Sequence, residues 1–338
     1  MTLELPVLRL GVAGFTAEQQ DRAAAAVHAA PVGIASWIVV PFTQADAWWV
    51  SGARTVVMPD GTLRVGSGLP TGRPVQLDPA QTDRPIAFAL PLPQGAGFEA
   101  AMAFDLDKRA QTSAILGRFT AWLRPLIAQF SLASSIIDHY GALGGGTFHV
   151  MRGGTLVAVV DMRGDVGVLP TAEPTDFEDA LWRRVESAAI PEQFARLSMS
   201  QLMWSFAMRT RRDVLPQHYR TGLLYFRRPP RLPQQMLSDA HLLLLRELAS
   251  GCGTLQELQA RTGLQEAHVA RDLAALYLVG AITSNPKRAA EGATRRLEVP
   301  DSVPSGPSFG LLDSRHGPDA VRGRVAHDLT APAPLRPD

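Results

Sequence analysis

The chain has 338 residues, 46% apolar and 19% charged, and its 33 basic and 32 acidic residues leave a formal charge of +1. That length predicts two or three domains with proper cores, and so apolar a chain is not wholly disordered. A single cysteine, Cys252, excludes an internal disulfide and a thiolate zinc cluster, and near-neutrality excludes a global field that draws in nucleic acid or membrane.

Met1 to Gly11 has no basic segment leading into an apolar core, and no apolar run nears the roughly 18 residues that span a bilayer, so a soluble, cytoplasmic protein without a membrane span is expected. Leu5 to Ala13 reads as an apolar strand. Thr16, with Gln19 three residues on, caps a helix through the alanine-rich stretch to Ala30. Ile34 to Val40 is a second buried strand, Arg54 to Met58 and Thr62 to Val65 form a hairpin around Pro59-Asp60-Gly61, and Ile86 to Leu92 is another strand. These elements predict a small α/β domain over 1–95.

From about Asp105 to Tyr140 the apolar spacing becomes helical, with Ile115, Phe119, Trp122, Leu126, Ile127 and Phe130 on one face. Pro125 divides this segment, and Gly141, Gly144, Gly145 and Gly146 end it. Phe148 to Met151, Thr155 to Asp161 and Val166 to Leu169 form a meander by the turn chemistry of Gly153-Gly154 and Arg163-Gly164-Asp165. Helices are expected over Thr175 to Ala189 and Pro191 to about Asp213, completing a mixed α+β middle domain over 96–232. Pro229 to Pro233 is a stiff connector.

Beyond it, Asp239 to Ala249 is a short helix, Thr254 and Glu257 make a capping box for a second that stops at Gly263, and a third runs from about Gln265 to Val279. Ala281 to Thr283 and Thr294 to Val299 pair as a hairpin. Residues 301–338, with six prolines and four glycines, are expected to be a disordered tail. The fold class expected is therefore α/β and α+β multidomain.

Thr254 to Val269 resembles the helix-turn-helix of winged-helix proteins: Glu257-Leu258 sit early in the first helix, Gly263 makes the turn, and Val269 anchors the second helix. Leu276 to Ile282 looks like the end of that helix turning into a wing. The resemblance implies a winged helix over 233–300. In DNA-binding members the start of the second helix enters the major groove, and Gln265, His268 and Arg271 hold those places here. Glu266 and Asp272 beside them would be repelled by phosphate, whereas the wing carries Lys287, Arg288, Arg295 and Arg296. The resemblance thus implies a module for contact with a partner protein, with DNA contact through the wing as the alternative.

Lys108 and Lys287 are the only lysines, so the other 31 basic residues are arginines, and Asn285 is the sole asparagine. A GC-rich bacterial coding bias produces that depletion, and arginine clusters then arise often by chance. The densest holds Arg209, Arg211, Arg212, Arg220, Arg227, Arg228 and Arg231 among His218, Tyr219, Tyr225 and Phe226. Guanidinium forks beside aromatic faces suit phosphate and stacked bases, so Arg209, Arg211, Arg212, Arg227, Arg228 and Arg231 are candidates for anion or nucleotide contact. Arg227 and Arg231 match half of the cyclic-di-GMP signature of PilZ domains; the other half is absent, which favours coincidence. Arg209 to Asp213 reads equally as a helix C-terminus, where arginines complement carbonyls.

Gly141 to Gly146 follows a helix and lacks the lysine of a phosphate loop, so it reads as a helix stop. Asp138, His139 and His149 would be the acid/base groups of an enzyme, but no motif places a nucleophile or a metal ligand near them. Trp48-Trp49 reads as a core lid rather than an interface anchor, and Cys252 as incidental. With no catalytic residue, metal or cofactor assigned, the expectation is a non-enzymatic bacterial regulatory or adaptor protein that recognises a protein partner. The alternatives are a DNA-binding transcriptional regulator with ligand-sensing or dimerising front domains, and an effector of a nucleotide second messenger through Arg209 to Arg231.

Overall fold

The capping box at Thr16 starts the first helix where expected: its hydroxyl accepts the Gln19 N–H, and the Gln19 side chain accepts the Thr16 N–H. The computed structural model describes residues 4–93, 99–186 and 189–294, all within one compact unit, Met1–Val299. In chain order come β1 (Val7–Ala13), α1 (Ala17–His28), β2 (Ser36–Val40), β3 (Ala47–Ser51), β4 (Thr55–Val57), β5 (Leu63–Val65), β6 (Val75–Leu77), β7 (Ile86–Ala89) and β8 (Ala103–Phe104). Five of these strands form a wholly parallel sheet in the order β2-β1-β3-β7-β8.

A parallel sheet needs cover on both faces. Neighbours on β3 show how it is supplied, because strand alternation sends Trp49 and Val50 to opposite sides. Trp49 joins Leu10, Phe104, Ile115 and Phe119 under α1 and α2 (Arg109–Trp122), while Val50 joins Leu63, Val65 and Phe88 under the antiparallel sheet β4-β5-β6. Trp48-Trp49 therefore belongs to a strand: Trp49 packs 4.7 Å from Phe104, and Trp48 stacks 4.6 Å from Phe42. Ile38, on the edge strand β2, remains exposed.

Pro125 divides the next helical segment as expected. It occupies the first turn of α3 (Arg124–Leu143), where its missing N–H leaves no intrahelical bond unmade. Gly141 stays inside α3, and Gly144, in a left-handed conformation, ends it. The expected meander follows as β9 (Thr147–Arg152), β10 (Thr155–Asp161) and β11 (Asp165–Val168), all antiparallel.

The two long helices expected after the meander do not form. Helix α4 is one turn, Thr175–Glu178, and the chain then becomes β12 (Leu181–Val185), which pairs with β9. Ala195–Ser198 is β13, paired with β11, and α5 (Met199–Ala207) begins only after the Ser198 cap. A three-stranded meander leaves two rows of unpaired backbone groups, and pairing them outweighs the weak helical bias of these segments. α3 and α5 cover the sheet, Phe130 lying 5.1 Å from Phe206.

The last part holds α6 (Gln217–Thr221), β14 (Tyr225–Phe226), α7 (Asp239–Ser250), α8 (Leu255–Thr262), α9 (Glu266–Leu278) and β15 (Ile282–Thr283). The Thr254 capping box opens α8, and Gly263 at φ +68° closes it, so α8 and α9 stand where the sequence puts them. β15 pairs antiparallel with β14, a strand from before the connector. Most of the expected partner, Thr294 to Val299, lies outside the described residues, as does the tail 301–338. Leu244, Leu258, Val269 and Leu273 share one core with Trp204, Leu215, Tyr219 and Leu224. That core crosses the boundary expected at 232–233. Among the described residues no helix is long and apolar enough to cross a membrane.

Candidate functional site

An arginine on a strand as apolar as β1 requires a nearby carboxylate, and Arg9 has one in Asp46. The Asp46 carboxylate accepts the Arg9 backbone N–H at 3.0 Å and its Nη2 at 3.3 Å. Arg209, just past the end of α5, completes the cluster: its Nη2 donates to Asp46 Oδ1 at 2.5 Å, and its Nη1 donates to the Ser205 carbonyl at 3.2 Å. Asp46 and Arg209 are both buried. Burial opposes the charge on Asp46, but the guanidiniums of Arg209 and Arg9 outweigh it and hold the carboxyl below the usual carboxylate range. Burial, the largest influence on Arg209, lowers its pKa despite Asp46.

Arg212 is also engaged inside the fold. Its Nε lies 2.6 Å from Glu4 Oε2, its Nη1 donates to Asp138 Oδ1 at 2.6 Å, and its Nη2 donates to Ser134 Oγ at 2.9 Å. Two of the arginines expected to take an external anion are thus neutralised by the protein's own carboxylates, as buried or half-buried charges require. The same network engages Asp138 as a partner of Arg212. His139 Nδ1 lies 2.8 Å from the Ser135 carbonyl, and His149 sits on β9 between β10 and β12. Among the described residues no group of three or more His, Cys, Asp or Glu side chains could hold a metal ion. Cys252 is buried, its Sγ 3.5 Å from the Thr294 carbonyl.

Beside this network is an open cleft of about 760 Å³, walled by Val7 and Ile38 of the first sheet, by residues 207–214 with Arg220, and by Glu266, Ala267, Ala270, Arg271 and Ala274 of α9. Steps of three and four residues put those α9 positions on one helical face. Within the cleft Arg220 is paired with Asp213. Arg211 and Arg271 are exposed, and neither guanidinium forms an ion pair among the described residues, although the Arg211 backbone N–H donates to Glu4 Oε1 at 2.9 Å. Arg211 Nη2 is steadied by Ser36 Oγ at 2.9 Å. The cleft thus offers apolar side chains, two guanidiniums without an ion pair among the described residues, and the exposed carboxylate of Glu266.

The structure therefore brings Arg209, Arg211 and Arg212 of one candidate set to the same cleft as Arg271 of the other, and of these only Arg211 and Arg271 have guanidiniums without an ion pair among the described residues. Gln265, the N-cap of α9, and His268 are exposed but do not line the cleft. Arg227, Arg228, Arg231, Lys287 and Arg288 are exposed elsewhere, around β14 and β15; Arg295 and Arg296 lie outside the described residues. Sequence reasoning missed Glu4, Asp46, Val7 and Ile38. A signal for Asp46 existed in Arg9, a charge at an inward position of a strand. Comparison of the chain with protein-family models, curated proteins and solved structures finds no match in any of the three.

Proposed function

We propose that the protein is a non-enzymatic bacterial regulatory or adaptor protein of the cytoplasm that recognises a partner protein, with α7–α9 acting as a winged-helix-type module turned to protein contact. The cleft carries this reading. Its α9 wall offers Ala267, Ala270 and Ala274, small residues that let another chain approach closely, and Val7 and Ile38 add apolar surface opposite. Arg211 and Arg271 supply the charge, so the partner segment is apolar with acidic side chains at its flanks. Ala267, Ala270 and Ala274 offer no donors or acceptors for base edges, and the exposed Glu266 beside them would be repelled by phosphate, which argues against groove reading by this face of α9.

The test is peptide selection on the full-length protein. Selected sequences are expected to be rich in Asp and Glu around apolar anchors, and Ala270→Arg, which fills the cleft, is expected to weaken their binding by at least about tenfold. Arg271→Glu should act in the same direction. Peptides indifferent to both variants would sink the reading.

A second reading, contact with duplex DNA, is favoured by one observation: Lys287 and Arg288 are exposed and without a carboxylate partner among the described residues. It predicts DNA binding by the full chain whose log affinity falls with log salt, the slope becoming shallower by about 1.8 in Lys287→Ala/Arg288→Ala. An unchanged slope removes those residues from the contact.

A further inference from the structure

Past the end of β14, the backbone N–H groups of Arg227 and Arg228 both donate to the Ala281 carbonyl, at 2.8 and 3.3 Å. This holds the two arginines beside the turn that follows α9. Arg228 Nε donates to the Gly280 carbonyl at 3.3 Å, which orients its guanidinium over that turn. Gly280 has φ +67°, a conformation that favours glycine, and a Cβ there would lie 3.2 Å from Arg228 Nη2 and 3.6 Å from Arg227 Nη1. Two guanidiniums thus converge on one spot that no side chain occupies.

Among the described residues no carboxylate answers them. Neither arginine forms an ion pair among the described residues, and both are exposed. Partial burial and then the charges of Arg227 and Arg231 lower the pKa of Arg228, as expected where cations crowd without an anion between them. Convergent forks suit a tetrahedral oxyanion, whose several oxygens can each accept N–H groups from both arginines, better than a carboxylate that one fork already satisfies.

We propose that Arg227 and Arg228, converging over Gly280, form a binding site for the phosphoryl group of a small phosphorylated ligand. The site is separate from the recognition cleft, which none of these residues lines. A small ligand fits better than a polymer because, among the described residues, Lys287 and Arg288 do not extend this pair along the same edge of β14. Lys287 and Arg288 stand on the loop that returns along the other edge of β14, where the Ala290 N–H donates to the Phe226 carbonyl at 2.9 Å.

Calorimetric titration of the full-length protein in phosphate-free buffer tests this, with inorganic phosphate, inorganic pyrophosphate, a nucleoside monophosphate and a short mixed-sequence DNA duplex as probes. Saturable binding of at least one small phosphate-bearing probe is expected, weakened about tenfold or more in Arg227→Gln/Arg228→Gln and unchanged in Arg64→Gln, an exposed arginine on β5. Should the double variant fold poorly, Arg227→Gln alone suffices, since Arg227 joins the strand pairing through its backbone. No binding of any small probe overturns the proposal, as does binding untouched by these substitutions. Binding of the duplex alone also overturns it and assigns the arginines to a nucleic acid backbone.

Discussion

Replacing Asp46 by alanine is expected to lower the free energy of unfolding by about 3–5 kcal/mol, the cost of leaving a buried charge uncompensated. Among the described residues Asp46 is the only carboxylate that the buried Arg209 touches, and it also holds Arg9. Without it, two guanidiniums face each other across a dry seam. The loss is local to a joint as well as large, because Arg209 ends α5 while Arg9 and Asp46 belong to the first sheet and its loop. Urea unfolding of the wild type and the Asp46→Ala variant measures it as a shift in midpoint at unchanged slope. Asp46→Ala/Arg209→Met should recover part of the loss, since an apolar side chain needs no counter-charge there. A single-variant loss below about 1 kcal/mol would mean that water already reaches this cluster.

The same carboxylate makes this difference depend on pH. Its pKa is lower in the folded protein than in the unfolded chain, so the folded state binds fewer protons at this group. Its contribution is full above the unfolded pKa of about 4 and fades as pH falls through the lower folded value. The stability gap between wild type and Asp46→Ala should therefore hold at neutral pH and narrow under acid. A gap that widens below pH of about 4 would contradict the assigned charge state.

A fragment of residues 233–294 is expected not to fold by itself, although the sequence marks it out as a module. Its core lacks Trp204, Leu215, Tyr219 and Leu224, which pack on the apolar face of α7–α9. Each such side chain contributes about 1.5–3 kcal/mol by burial, so their loss removes about 6–12 kcal/mol, comparable with the whole stability of a domain. A polar contact is lost with them. Trp204 packs edge-on against the His241 ring at 4.6 Å, whose Nδ1 accepts the Ser238 N–H and whose Nε2 lies 3.2 Å from Asp272 Oδ1. Exposing that pair to water loosens the α7–α9 contact. A fragment of residues 199–294 keeps these side chains and should show the helical circular dichroism and amide protection that the shorter one lacks. Cooperative melting of the short fragment near the full-length temperature would refute the shared core.

Local signals in the sequence were sufficient for elements whose ends are chemically marked. Thr16 and Thr254 cap helices through bonds to residues three positions away, and Gly263 ends α8 because glycine tolerates its left-handed conformation. The α8–Gly263–α9 pattern was legible for the same reason. The segments after the meander were not, because their conformation depends on which edges of β9 and β11 are vacant, a fact about strands distant in the chain.

The candidate site divides along the same line. Arg211 and Arg271 could be named from the sequence as cations, but 60 residues separate them, and only packing puts both on one cleft. Arg209 and Arg212 looked identical to them in sequence and are instead absorbed by Asp46, Glu4 and Asp138. The sequence by itself determined composition, caps, turns and the stock of arginines. Tertiary structure alone decided which arginines are free, because a guanidinium's availability depends on whether a carboxylate far along the chain lies within reach of it.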